Sequence, residues 1–69
     1  MKINETLRDA LVLKYQGDIA TAKANISVYL TNPAGIGDHP DLISAIDTEM
    51  DKAAEAWDKL TFLENEIEW

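Results

Sequence analysis

Thr31-Asn32-Pro33-Ala34-Gly35-Ile36-Gly37-Asp38-His39-Pro40-Asp41 divides the chain into two halves of similar length. Pro33 disfavours helical geometry at Asn32, so a helix arriving from the N-terminal side must stop near Thr31. Gly35 and Gly37 supply backbone freedom for a reversal. Asp38 is suited to cap a new helix, Asp41 three residues later completes a pattern like a capping box, and Pro40 is tolerated in a first helical turn. The spacing therefore predicts a first helix over about 4–31, a turn over 32–38 and a second helix over about 39–66. Equal helices joined by a short connection pack antiparallel. The predicted fold is all-α: one helical-hairpin domain over 1–69, coiled-coil-like.

Upstream, Asn4 is placed to cap the first helix, with Glu5 in its first turn. Val12, Tyr15, Ile19, Ala22, Ile26 and Tyr29 follow alternating steps of three and four, the spacing of a helical seam. A second row, Ala10, Leu13, Gly17, Ala20, Ala24 and Val28, lies roughly opposite at about 100° per residue. Lys14, Asp18, Thr21 and Asn25 separate the two rows on one flank. A surface helix of a monomer shows a single stripe, so this helix is expected to be covered on both sides. Gly17 with Ala20 and Ala24 makes a low ridge on which another helix could approach closely.

Downstream, Ile43, Ile46, Met50, Ala53, Trp57 and Leu60 keep the same alternation. Facing the first seam, they would place Ile26 near Ile43 or Ile46, and Tyr15 near Trp57. Leu42, Ala56 and Leu63 widen the stripe on one side, and Glu49 interrupts it. Glu49 is expected to pair with Lys14 or Lys23, or to sit at a subunit edge. Residues 64–69 are expected to fray, with Ile67 and Trp69 free to dock on a partner.

Sixty-nine residues supply only a small core, about 3–5 kcal/mol, so such chains need a staple or a partner. There is no cysteine and only one histidine, His39, which leaves neither disulfide nor zinc as the staple. Self-association remains, most simply a dimeric four-helix bundle, otherwise a higher helical oligomer. The candidate interface is Ala10, Leu13, Gly17, Ala20, Ala24 and Val28 with Leu42, Ala56 and Leu63.

The net charge of −7 is uneven: residues 1–37 carry four basic and three acidic side chains, residues 38–69 two basic and ten acidic. An acidic second helix would repel phosphates, which argues against direct nucleic-acid binding. No apolar run reaches the length of a membrane span, and Met1 to Glu5 lack the apolar stretch of a secretion signal. A cytoplasmic protein is expected.

The stretch Val28-Tyr29-Leu30-Thr31-Asn32-Pro33-Ala34-Gly35-Ile36-Gly37-Asp38-His39-Pro40-Asp41-Leu42 resembles small proteins encoded by tailed bacteriophages. Those carry an NPxGIG-[DE]H-D turn followed by an acidic helix, here with Ala53-Ala54-Glu55-Ala56-Trp57-Asp58-Lys59-Leu60. The resemblance covers roughly residues 24–60. It implies a phage origin, hence a host cytoplasm, and assigns no activity and no site residue.

Chemistry is sparse. The turn residues Gly35, Gly37, Asp38, His39 and Asp41 could hold an anion at a helix N-terminus, or a cation between the carboxylates. The same residues would build any tight helix–helix connection, and that structural use is the primary reading. Gly35-Ile36-Gly37 is not a phosphate-binding loop, since it lacks the lysine and the preceding strand. No catalytic constellation is present, and no cofactor or metal is implied. Tyr15, Tyr29 and Trp57 read as packing residues, with a base-stacking pocket between subunits as the sharper alternative. The expected function is a non-enzymatic oligomeric interaction module that binds or sequesters a host protein or a small signalling molecule. The alternatives are a structural or assembly protein, such as a small virion component or chaperone, and an acidic mimic of DNA.

Overall fold

A computed structural model describes residues 2–31 and 41–69. Two helices, α1 (Ile3–Thr31) and α2 (Leu42–Glu66), pack against each other along their length. The Asn4 side-chain amide donates to the backbone carbonyl of Trp69, which places the start of α1 beside the end of α2. The pair is therefore antiparallel, as expected of two helices joined by a short connection. The hairpin measures 50 × 20 × 14 Å. Its radius of gyration is 15.6 Å, where a compact chain of this length would have about 11 Å.

α2 ends at Glu66 as expected, and its start differs for a local reason. The helix begins at Leu42, not at His39, and its N-cap is Asp41. The Asp41 carboxylate accepts from the Ser44 backbone N–H at 2.8 Å, and the Asp41 carbonyl accepts from Ala45 N–H at 3.2 Å. Asp38, the expected cap, lies outside the described residues. The other end does not simply fray. The Trp69 indole N–H donates to the Leu63 carbonyl at 3.3 Å, one of the last-turn carbonyls that a helix cannot satisfy itself. At α1 the helix already includes Ile3, so Asn4 is an interior residue, and its side chain reaches across to α2 instead of capping.

The core is thin. Ala22, Ala56 and Leu63 are the buried apolar side chains among the described residues, at 1%, 3% and 5% exposure. On α1 the first row faces inward as expected: Val12, Tyr15, Ile19, Ile26 and Tyr29 are half-buried around Ala22. On α2 the contact line is Leu42, Ile46, Glu49, Ala53, Ala56, Leu60 and Leu63, alternating steps of four and three without a break. The expected line shares Ile46, Ala53 and Leu60 with it. It fails at Ile43, Met50 and Trp57, which are 79%, 54% and 63% exposed. The helix is turned about 60° from the expected orientation at 100° per residue.

Trp57 does not fill the core position expected of it beside Tyr15. The Tyr15 ring instead meets the Lys59 ammonium, 6.0 Å from its centroid. Two alanines, Ala22 and Ala56, sit at the centre of the contact, where a tryptophan would hold the helices apart.

Candidate functional site

The contact line leaves four surfaces, and each has a distinct chemistry. On one side of the hairpin the two helices border a groove of about 370 Å³. Lys14, Asp18, Thr21 and Asn25, the flank that separates the two rows of α1, form one wall. Glu49, Lys52, Glu55 and Lys59 of α2 form the other. Three ion pairs balance its charge: Lys14 with Asp18 at 2.8 Å, Lys52 with Glu49 at 3.3 Å, and Lys59 with Glu55 at 3.0 Å. The Asp18 carboxylate, by hydrogen bond and by charge, raises Lys14 above the usual lysine range.

Glu49 pairs with Lys52 of its own helix, not with Lys14 or Lys23 of α1. Its side chain is buried, and one carboxylate oxygen, Oε2, has no hydrogen-bond partner among the described residues. An unsatisfied buried carboxylate oxygen costs about 1–3 kcal/mol or more. The sequence signal for this burial is the seven-residue series Leu42, Glu49, Ala56, Leu63, in which Glu49 is the only polar member.

The opposite side of the hairpin is apolar on α2, and its α1 border carries the exposed Asp9, Gln16, Lys23 and Ser27. Ile43, Met50 and Trp57 recur every seven residues, on the flank of α2 turned away from Lys52, Glu55 and Lys59. On α1, Leu30 is also exposed on that side, next to the half-buried Val12, Ile19 and Ile26. The outer edge of α1 carries the small row: Ala10, Leu13, Gly17, Ala20, Ala24 and Val28 all face solvent. The outer edge of α2 is acidic, with Asp47, Asp51 and Asp58 exposed.

The expected interface is therefore split. Its α1 members are solvent-facing, as an uncovered second stripe requires. Its α2 members are not: Ala56 and Leu63 are buried and Leu42 is half-buried against α1 within the one chain. They cannot supply an exposed stripe, and Ile43, Met50 and Trp57 take that place. Of the polar turn, Gly35, Gly37, Asp38 and His39 lie outside the described residues, and Asp41 is the helix cap. Among the described residues, no group of three or more His, Asp or Glu side chains converges to hold a metal ion, and no helix is long and apolar enough to cross a membrane.

Compared with family models, with curated proteins and with solved structures, the chain matches none.

Proposed function

We propose that the chain is a non-enzymatic interaction module that works as a homo-oligomer. The assembled form binds or sequesters a second molecule, a host protein or a small signalling molecule. The resemblance of its turn to those of tailed-phage proteins supports a role in the cytoplasm of an infected host.

One observation carries the oligomer: α2 buries a glutamate and leaves Trp57, Met50 and Ile43 in solvent. A hairpin that stood alone would gain by turning α2 the other way. Burying a large apolar side chain contributes about 1.5–3 kcal/mol, whereas a buried carboxylate costs free energy. The observed orientation is favourable when both sides of α2 are covered. Monomers rarely expose contiguous apolar patches above a few hundred Å².

The test is the solution mass by light scattering and sedimentation across micromolar concentrations, followed by affinity capture with mass spectrometry of retained proteins and small molecules. A mass that is a multiple of 7.7 kDa, with a melting temperature that rises with concentration, is expected. A monomer with a cooperative, concentration-independent melt overturns the reading. A stable oligomer that retains no ligand, but copurifies with phage particles, points to an assembly protein instead.

A further inference from the structure

We propose that the surface which receives a second copy of this chain is the apolar side of the hairpin, built on Ile43, Met50 and Trp57 with Leu30 of α1, and not the small-residue edge of α1. This rests on the oligomeric reading above and specifies its interface.

Spacing is the first argument. The three α2 side chains repeat every seven residues, so they stand in one line along the helix and can enter the holes of a facing helix over its length. The second argument is area. The chain exposes 5243 Å². A folded monomer of its mass exposes about 4,300 Å². The excess of roughly 900 Å² is close to the ~800 Å² that each partner contributes to a standard interface.

Charge removes two of the four surfaces, and side-chain size decides between the other two, because the alanines and glycine of the α1 edge offer less apolar area than Ile43, Met50 and Trp57. At a net charge of −7, two copies repel, so they must meet where acidic groups are few. The outer edge of α2 carries Asp47, Asp51 and Asp58, and the groove is lined with charged pairs. The apolar side has Lys23 and Asp9, the latter paired with Arg8 at 3.7 Å, on its α1 border, and Asp47 and Glu64 on its α2 border. Among the described residues, Lys23 makes no ion pair within the chain. A two-fold axis along the hairpin lays α1 of one copy over α2 of the other, which brings Lys23 of each copy to the acidic α2 border of its partner. Such a closed two-fold pair is the commonest arrangement of identical chains. Trp57 then occupies the centre of the contact, the position and residue type of an interface hot spot.

The experiment uses sedimentation of the full chain and of three variants, M50K, W57K and A20K. M50K and W57K should weaken the assembly at least about 30-fold, while A20K leaves it within a few-fold of the unaltered chain. Because a lysine variant could fail to fold, a W69F chain provides an independent readout. Trp57 is then the sole tryptophan, and its emission should shift to the blue as concentration rises through the association range. Association with no change in Trp57 emission, or dissociation by A20K with no effect of M50K, overturns this surface and leaves the oligomeric reading standing. A monomeric unaltered chain overturns both.

Discussion

Glu49 is 6% exposed and Trp57, just over two turns later on the same helix, is 63% exposed. The relationship inverts the usual order of burial and fixes how α2 sits on α1. Ala56, beside Trp57 in the chain, is the residue that reaches the centre of the hairpin. The geometry leaves a large apolar side chain in solvent, buries an alanine in its place, and carries a half-satisfied carboxylate with it.

That carboxylate gives the first prediction. Glu49→Met removes a buried charge whose Oε2 has no partner among the described residues, and keeps a side chain of similar length. Replacing buried ionic groups with apolar ones of similar volume is often neutral or stabilising by about 1–4 kcal/mol. The variant should therefore melt higher than the unaltered chain at equal concentration, by several degrees. A loss of more than about 1 kcal/mol would show that Glu49 has a partner in the working assembly.

Asp41 is the N-cap of α2, and its carboxylate accepts the Ser44 N–H at 2.8 Å. Asp41→Ala should cost about 1 kcal/mol, and Asp41→Asn much less, because asparagine caps nearly as well as aspartate. Thermal melts at fixed protein concentration check both. An Asp41→Ala chain that melts with the unaltered protein would remove the cap from the account of how α2 begins.

Much of this fold was legible in the sequence, and the reason is local. Pro33 and the seam of α1 report directly on where a helix ends and which face it buries. The three-four alternation from Val12 to Tyr29 needs nothing beyond its own spacing. The orientation of α2 was not legible in the same way. Its sequence carries two overlapping alternations that share Ile46, Ala53 and Leu60, one completed by Ile43, Met50 and Trp57, the other by Leu42, Glu49, Ala56 and Leu63. Hydrophobicity alone selects the first, since it contains no charge. The structure takes the second, with Ala56 buried and Trp57 exposed, an outcome of the pairing that neither helix carries alone. The four-surface arrangement follows from that rotation. The α1 half of the candidate interface was readable from its row, and the α2 half was displaced by about 100° of helix.

The C-terminal residues close the open end of the hairpin. Trp69 donates through its indole to Leu63 and accepts from Asn4 through its backbone carbonyl. Trp69→Ala should cost about 0.5–1.5 kcal/mol, the net worth of a hydrogen bond. The effect should be concentrated at this end. Amide exchange should accelerate in the last turn of α2 and the first turn of α1, while the amides around Ala22 and Ala56 keep their protection. Uniform acceleration across both helices would mean that the clasp holds the whole hairpin.

Gly17 separates the stability of the single hairpin from the assembly. It lies in the middle of α1, and a Cβ added there would meet nothing within 4 Å. Glycine in a helix interior is less favourable than alanine by about 1 kcal/mol, chiefly through the greater freedom of the unfolded chain. Gly17→Ala should therefore raise the melting temperature by roughly 4–8 °C for a chain of this size. If copies meet through Ile43, Met50 and Trp57, the variant should sediment with the same mass as the unaltered chain and associate at least as strongly. If a second copy lies directly on the ridge of Gly17, Ala20 and Ala24, the added methyl group intrudes on a close helix contact, and association weakens even though the isolated helix gains. Melting and sedimentation of the same variant distinguish the two: stabilisation with unchanged mass supports the apolar side as the meeting surface, whereas a fall in mass places a neighbouring helix against Gly17.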